Sequence, residues 1–506
     1  GAGGDCEAHY GIRELIANQL PHINKHRHVG GEAKRAPSAV ADLLAKYAKR
    51  DPAKTAIVDL ESGTAIDFGQ LDQIAIDVAA YLKSKGIAKG SRVLVLSDEC
   101  LEKLLIWFGI WRIGAVICPF NLEINEKQMV SLTAALDPAL ILYHKDIDVA
   151  AMVGDAPAER IRFGLWSPDG RKDPQDEFFV ALPRGDAARL PERNGASDTA
   201  CIFCTSGTTA RPKIVIYNHA AYWMNGLDTL EFLGLTEDDR TLEYRSFGWN
   251  SAQVLSLLPF LQKGLTMHIA KRFSHSHFFE WIQKYGITFS AGVPTVLNIL
   301  LNKPIGYTAK DIPTLRLMSC STAPLTAQQW LQFEEMYGVT LLQMYGMSET
   351  GWICGNRHYA KKMGTVGLPA LHQELVIVDA AGNECPPDVE GEITVGGPQM
   401  AIGYLRDDGR RHFLRGETLY LHAAESCSLQ HGRRFPVGVT ALEQPTPRAH
   451  QQILHFAQCT AFFRSNVLKE EELAPGFQNA PDLGHYPVGI GNRAQHQRAD
   501  GRVHGL

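Results

Sequence analysis

The stretch of sequence that decides the fold is residues 201–213, CIFCTSGTTARPK. Its first four residues are apolar and predict a buried strand, which leads into a polar loop with a basic end. A polyphosphate is bound by backbone N–H groups that approach it closely, by hydroxyl donors and by a fixed cation. Gly207 permits the close approach and Lys213 supplies the charge. The hydroxyl groups are those of Thr205, Ser206, Thr208 and Thr209. We therefore predict a phosphate-binding loop at residues 205–213.

This loop differs from the Walker type of phosphate loop. A Walker loop has the pair Gly-Lys followed directly by Ser or Thr, whereas Pro212 precedes Lys213 here and Ile214 follows it. The alternative interpretation is a polar surface turn, which the coincidence of so many phosphate-binding features disfavours. The loop is therefore assigned to another class of phosphate site.

Strands alternate with helices on both sides of the loop. On the N-terminal side the pattern predicts strands at 56–58, 92–96 and 115–118 and helices at 71–83 and 101–113. This alternation is typical of parallel α/β units, and it returns between residues 255 and 342. Short strands broken by Gly and Pro follow between 376 and 403. We predict an α/β fold with two α/β lobes and a small β-barrel-like part.

Composition excludes several classes of function. A net charge of −5 over 506 residues gives no indication of a basic surface that binds nucleic acid. The sequence also has no Lys/Arg cluster of the kind that binds an anionic membrane surface. The most apolar stretch, residues 104–120, is too short to span a bilayer and contains Arg112. Ten scattered cysteines and a start without a signal-peptide pattern predict a reducing cytoplasm. The oligomeric state is left open.

Three further segments follow the loop in a fixed order: SCSTAP at 319–324, MYGMSE at 344–349, and GEI at 391–393 with GY at 403–404. Together with the loop, they resemble the signature of the adenylate-forming (AMP-binding) superfamily. That superfamily includes acyl-CoA synthetases, adenylation domains of peptide synthetases and firefly-type luciferases. The resemblance covers residues 38–408, and it implies the predicted fold. Ala210 stands where the family pattern has glycine.

The resemblance also implies roles for individual residues. Tyr345 packs on the adenine, Ser348 contacts the α-phosphate and Glu349 binds Mg²⁺, which prefers carboxylate oxygen. The adenine side of the ATP site is formed by Thr322, Ala323, Pro324, Tyr345 and Gly346. The catalytic residues implied are Lys213, Ser348 and Glu349. The box at 391–404 is assigned a structural role.

Residues 245–253, RSFGWNSAQ, lie where the family lines its acid pocket. Amino-acid-activating relatives place an Asp here to pair with the substrate ammonium. The segment has no Asp, which favours a carboxylic acid without an α-amino group. Phe247, Trp249 and Asn250 are the candidate pocket residues. Phe247 and Trp249 fit a role as core aromatics equally well, because pockets too are largely apolar.

The chain is divided into an N-terminal arm (1–37), an AMP-binding large domain (38–408) and an atypical C-terminal segment (409–506). The hydrophobic periodicity seen upstream is lost in the last segment. Two interpretations are a poorly ordered tail and a shifted reading frame, and we favour the second. Residues 418–425, TLYLHAAE, keep the tyrosine of the family's Tyr-x-Thr-Gly-Asp box and lose its Thr-Gly-Asp. Lys469 does not follow a glycine, so no role is transferred to it.

The leading hypothesis is an acid–thiol ligase. It would use ATP and Mg²⁺ to activate a small-molecule carboxylic acid as an acyl-adenylate, and it would then transfer the acyl group to CoA. One alternative is an enzyme of another branch that loads a carrier protein. The other is a catalytically impaired nucleotide-binding remnant that lacks the family's C-terminal lid.

Overall fold

A computed structural model describes residues 40, 43–190, 194–205, 212–379, 383–386, 389 and 391–405. It also describes the backbone of five short strands at 411–413, 419–421, 427–428, 434–435 and 441–442. The predicted arm at 1–37 and the predictions about residues 443–506, including Lys469, lie outside the described residues. The division of the chain at residues 37 and 408 stays a prediction.

The described strands lie between residues 55 and 442. They are β1 (Thr55–Asp59), β2 (Ala65–Asp67), β3 (Arg92–Leu96), β4 (Val116–Cys118), β5 (Leu140–His144), β6 (Glu159–Phe163), β7 (Thr199–Cys204), β8 (Ile214–Asn218), β9 (Arg240–Glu243), β10 (Thr266–Ile269), β11 (Phe289–Ser290), β12 (Leu317–Cys320), β13 (Thr340–Met347), β14 (Gly351–Gly355), β15 (Leu368–Pro369), β16 (Glu374–Val378), β17 (Glu392–Gly396), β18 (Gly403–Leu405), β19 (Arg411–Phe413), β20 (Leu419–Leu421), β21 (Cys427–Ser428), β22 (Arg434–Phe435) and β23 (Ala441–Leu442).

The described α-helices lie between residues 43 and 337. They are α1 (Leu43–Arg50), α2 (Phe68–Ser84), α3 (Leu101–Arg112), α4 (Glu126–Leu136), α5 (Val149–Val153), α6 (His219–Leu233), α7 (Asn250–Ala252), α8 (Leu258–Lys263), α9 (Phe278–Tyr285), α10 (Pro294–Asn302) and α11 (Ala327–Tyr337). Short 3₁₀ turns occupy Phe179–Ala181 and Ala187–Arg189, and a π-helical turn, Gln253–Leu257, joins α7 to α8.

Two large sheets form the two α/β lobes. Within the described residues, sheet A has nine strands in the order β15-β14-β13-β12-β11-β9-β10-β1-β2. Sheet B has eight described strands in the order β19-β18-β8-β7-β4-β3-β5-β6. The central strands of both sheets pair in parallel, as shown for β9–β10 and for β3–β4. The fold predicted from the strand–helix alternation is confirmed.

Burial explains why these segments form these elements. The central strands of sheet B are nearly continuous apolar runs, as expected for parallel strands covered on both faces. Helix α2 begins at a capping box, in which the Asp67 side chain accepts from the Gln70 N–H and the Gln70 side chain accepts from the Asp67 N–H. Every residue of α3 is buried, so this helix lies in the interior of the molecule.

The β-rich part is a third, antiparallel sheet. Among the described strands, sheet C has the order β16-β17-β20-β23. Strand β20 pairs with β17 of this sheet, and β19 pairs with β18 of sheet B. Short strands after residue 408 therefore join the sheets of the large domain. In the described part of the chain, no helix is both long and apolar enough to cross a membrane.

Candidate active site

The predicted phosphate loop joins β7 to β8, which are antiparallel neighbours in sheet B. The Thr205 backbone N–H donates to the Lys213 carbonyl at 2.9 Å, and the Lys213 N–H donates to Thr205 Oγ1 at 3.0 Å. These two bonds close the base of the loop at the carboxyl end of β7, the edge of an α/β sheet where ligands bind. Residues 206–211 lie outside the described residues, including Ser206, Gly207, Thr208 and Thr209.

Strand register brings Lys213 next to Tyr404. Strand β18 pairs antiparallel with β8, and Tyr404 lies opposite Val215. Side chains two residues apart on a strand share a face, so Lys213 and Val215 lie on the face that Tyr404 also occupies. The Lys213 Nζ lies 4.9 Å from the centroid of the Tyr404 ring, within the range of a cation–π contact. The Lys213 side chain is otherwise exposed at the base of the loop.

Tyr404 also contacts Glu349. The Tyr404 hydroxyl donates to Glu349 Oε1 at 2.9 Å. Burial raises the pKa of Glu349, while the charge of Lys213 and the Tyr404 hydrogen bond act in the opposite direction. The cost of burying this charge would be offset by a bound cation, and a carboxylate oxygen is a ligand that Mg²⁺ prefers. The residues present therefore fit a magnesium ion at Glu349.

The predicted adenine loop contains a strained residue. Thr322 directly follows the buried Ser321 and has a φ of 75°, the left-handed region that a β-branched residue seldom adopts. Backbone strain of this kind persists at functional sites, where the surrounding structure enforces it. Ala323 is half-buried and Pro324 is exposed. The strain at Thr322 is an independent indication that this loop has a function.

The predicted Tyr-Gly-x-Ser-Glu box occupies the end of β13. Tyr345 is buried, and Gly346 and Ser348 are half-buried. A Cβ on Gly346 would lie 2.2 Å from the carbonyl oxygen of Gly351, so only glycine fits here. The pairing of β13 with β14 shifts register between Tyr345 and Gly346. The close turn sets the position of Glu349, three residues further along the chain.

The candidate acid-pocket segment has a mixed environment. Phe247 is buried in the hydrophobic core, Trp249 is half-buried, and Asn250 is buried. The Asn250 Nδ2 lies 3.4 Å from the Met347 carbonyl and 3.5 Å from the Ser348 carbonyl, so it adjoins the box that carries Glu349. The segment continues into the π-helical turn, a feature frequent at functional sites. Asn250 therefore contacts the backbone of the box at 344–349.

Two tyrosines near Glu349 were not among the predicted site residues. Tyr404 belongs to the box with a predicted structural role, and Tyr217 lies on β8. Tyr217 is fully buried, and burial raises its pKa well above the usual value, with a further rise from the negative charge of Glu349. One sequence signal points to Tyr217: Val215 and Tyr217 alternate along β8, and Lys213 directly precedes that strand in the same alternation, so the three share a face.

The buried thiols of β7 take no part in this site. Cys201 and Cys204 are free and buried, and burial raises the pKa of both, so they are unreactive at neutral pH. In the described ranges, no group of three or more His, Cys, Asp or Glu residues could hold a metal ion. A Mg²⁺ ion at Glu349 would accordingly depend on substrate phosphates as well, as Mg²⁺ sites commonly do.

This fold, together with the contacts of Tyr404 with Lys213 and Glu349, fits a nucleotide-using enzyme of the adenylate-forming class. A sequence model described as "AMP-binding enzyme" matches residues 44–405. The chain therefore belongs to the AMP-binding enzyme family, and the predicted ligase class is confirmed.

Known relatives match over most of their length. The chain is 26% identical over 362 residues to a feruloyl-CoA synthase of an Amycolatopsis species, which covers 71% of this chain and 70% of the relative. It is 28% identical over 383 residues to an indoleacetate–CoA ligase of Aromatoleum aromaticum, covering 73% and 72%.

Solved structures share the fold. The anthranilate CoA ligase AuaEII, in complex with anthranoyl-AMP, matches with a TM-score of 0.71 at 20% identity, covering 80% of this chain and 78% of that one. ATP-bound MatB from Rhodopseudomonas palustris matches with a TM-score of 0.65 at 25% identity, covering 75% and 76%.

Proposed function

We propose that the protein activates a carboxylic acid with ATP and then transfers the acyl group to CoA. The observation that carries the proposal is the meeting of Lys213 and Glu349 at the Tyr404 side chain, beside the loop that follows β7. A cation and a buried carboxylate that contact the same side chain suit the binding of a phosphate chain and its metal ion. The CoA ligases among the relatives support CoA as the acceptor.

The chemistry divides into two steps. A carboxylate oxygen of the acid bonds to the α-phosphorus of ATP, and the bond from that phosphorus to the pyrophosphate oxygen breaks. The CoA thiol then loses its proton to solvent, its sulfur bonds to the acyl carbon, and AMP leaves with the carboxylate oxygen. Lys213 stabilises the charge that grows on the leaving pyrophosphate, and the hydroxyls of the loop bind the phosphates. Ser348 contacts the α-phosphate.

The remaining assigned residues position the substrates. Tyr345, Gly346 and residues 322–324 form the adenine side of the cleft. Glu349 would hold Mg²⁺, which supplies charge neutralisation on the phosphates when bound. Phe247, Trp249 and Asn250 line the acid pocket. Because no Asp lies between 245 and 253, the substrate is a carboxylic acid without an α-amino group.

The state of the buried cysteines supports a cellular location for the protein. Cys118, Cys201, Cys204 and Cys320 are free and buried, which supports a reducing compartment such as the cytoplasm. We also propose that the large domain spans residues 38–408 and that residues 409–506 are an atypical C-terminal segment, whose first short strands pair with strands of the large domain.

Pyrophosphate release with a panel of acids, with and without CoA, tests the proposal. Aromatic acids head the panel because the relatives include feruloyl and indoleacetate enzymes. We expect acid-dependent release of pyrophosphate, with AMP and an acyl-CoA formed when CoA is present. Release without any acyl-CoA would favour an enzyme that loads a carrier protein. ATP binding with no release for any acid would favour the nucleotide-binding remnant, which the missing Thr-Gly-Asp at 418–425 suggests.

A further inference from the structure

Tyr404 contacts both charged residues of the proposed ATP site. It is buried, with 6% of its surface exposed, and it lies on β18, between β8 and β19 in sheet B. Its ring lies 4.9 Å from the Lys213 Nζ, and its hydroxyl lies 2.9 Å from Glu349 Oε1. One side chain thus touches the cation at the base of the phosphate loop and the carboxylate assigned to the metal.

The backbone around Tyr404 makes the same connection. The Ala401 N–H donates to the Glu349 carbonyl at 2.8 Å, and the Ile402 N–H donates to the Ile216 carbonyl of β8 at 2.9 Å. Just before them, the Gln399 carbonyl accepts from Asn225 Nδ2 at 2.7 Å. The segment 399–405 is therefore attached to β8, to helix α6 and to the backbone of Glu349 in turn.

The geometry of the hydroxyl bond suits a role in positioning. A carboxylate that binds a metal needs its orientation fixed by an outer hydrogen bond, and the loss of such a partner typically lowers metal affinity 10–100-fold. The Tyr404 hydroxyl donates to one oxygen of Glu349. A phenol can donate this bond and carries no charge at neutral pH, so it orients the carboxylate without competing with the metal as a cation would.

We propose that Tyr404 is a positioning residue, which orients Glu349 for the metal through its hydroxyl and holds Lys213 at the phosphate loop through its ring. This inference rests on the proposed function, since it assigns the metal to Glu349 and the leaving phosphates to Lys213. It gives the segment 399–405 a part in the active site, beyond the structural role predicted for the box at 391–404.

Two substitutions separate the hydroxyl from the ring. Tyr404→Phe keeps the ring and removes the bond to Glu349. We expect the Mg²⁺ concentration needed for half-maximal ATP binding to rise about 10-fold, with AMP affinity in the absence of Mg²⁺ unchanged. Tyr404→Leu removes the ring as well, and we expect it also to weaken pyrophosphate binding by about 2–5-fold, because the Lys213 contact is lost.

Tyr337→Phe is the matched control. The Tyr337 hydroxyl is also buried and donates to the Leu300 carbonyl at 2.7 Å, but its partners lie in the core under sheet A. It should lower stability about as much as Tyr404→Phe while leaving the Mg²⁺ requirement at the wild-type value. A purely structural role for Tyr404 predicts that the two variants behave alike.

Calorimetric titration of the full chain with ATP at a series of Mg²⁺ concentrations tests the role of Tyr404. A raised Mg²⁺ requirement in Tyr404→Phe alone supports the inference. An unchanged requirement in Tyr404→Phe, beside a wild type that binds ATP with Mg²⁺ dependence, overturns it and leaves the proposed function intact. A wild type that binds no ATP overturns both. If Tyr404→Phe is unfolded by circular dichroism, the residue is structural and the inference fails.

Discussion

Replacing Lys103 with methionine removes the ammonium group from a buried ion pair. The Lys103 side chain is fully buried, and its Nζ lies 2.6 Å from Oε1 of Glu99, whose side chain is 4% exposed. In the variant, the Glu99 carboxylate keeps the hydrogen bond from the Ser246 hydroxyl at 2.7 Å and loses its counter-charge. Removing one partner of a buried pair costs about 3–5 kcal/mol. That loss is a large part of a typical unfolding free energy of about 5–15 kcal/mol.

Lys103→Met should also disturb the predicted acid pocket, because Ser246, which donates to Glu99, belongs to the segment 245–253. We expect Lys103→Met to lower the urea midpoint and to raise the KM for the acid more than it lowers kcat. The double variant Glu99→Met/Lys103→Met removes both charges, and we expect its stability to return to within about 1–2 kcal/mol of wild type.

Lys85→Met is the matched control for this prediction. Its Nζ also lies 2.6 Å from a carboxylate, that of Glu159, but 32% and 52% of the two side chains are exposed. Exposed pairs of this kind contribute little to stability, so the urea midpoint should scarcely move. Urea unfolding followed by tryptophan fluorescence and circular dichroism measures all three variants. If Lys103→Met unfolds at the same midpoint as Lys85→Met, the argument from burial is refuted.

Three further predictions concern the phosphates, the metal and acid stability. Lys213→Ala should slow adenylation about 100-fold and weaken ATP binding while AMP binding hardly changes; equal losses in calorimetry would count against its role. Glu349→Gln keeps the shape and removes the charge, so it should abolish the Mg²⁺ dependence of ATP binding, and an unchanged dependence would mean that the metal is held elsewhere. His219 is buried, and burial lowers its pKa to about 4, so the protein should lose stability as the pH falls below about 6.5 toward 4. His219→Gln should lose up to about 3 kcal/mol less stability than wild type between pH 7 and pH 4. Urea unfolding at the two pH values measures this, and an equal loss in wild type and variant would contradict it.

Local sequence patterns predicted the elements of the lobes well. The strand predicted at 92–96 is observed at Arg92–Leu96, and the helix predicted at 101–113 is observed at Leu101–Arg112. The helix predicted at 71–83 runs over Phe68–Ser84, because the capping box at Asp67 and Gln70 begins it one turn earlier. These elements are predictable because apolar periodicity and capping act over short distances along the chain.

The connection through Tyr404 could not be predicted in the same way. It depends on β18 pairing with β8, two strands far apart in the sequence, and on the register that sets Tyr404 against Val215. A shift of one residue would turn the tyrosine to the other face of the sheet. No local pattern in Gly403-Tyr404 specifies that register, so the sequence alone predicts only a structural role for this segment.

The residues of the acid pocket were likewise only partly predictable from the sequence. The residue types at 245–253 suit a pocket and a core equally well, and the structure describes both environments. Phe247 packs into the core, whereas Trp249 is half-buried and Asn250 faces the box at 344–349. Their assignment to substrate binding stays a prediction, because an apolar side chain has the same preference for either setting.

The central claim is that an acyl-adenylate forms on this chain, and oxygen-18 transfer tests it most directly. A carboxylic acid labelled in both carboxylate oxygens is incubated with ATP, Mg²⁺, CoA and stoichiometric protein, and the nucleotide is analysed by mass spectrometry. If the carboxylate attacks the α-phosphorus and CoA attacks the acyl carbon, each AMP formed carries one oxygen-18. Unlabelled AMP, or ADP formed together with labelled inorganic phosphate, would contradict the account.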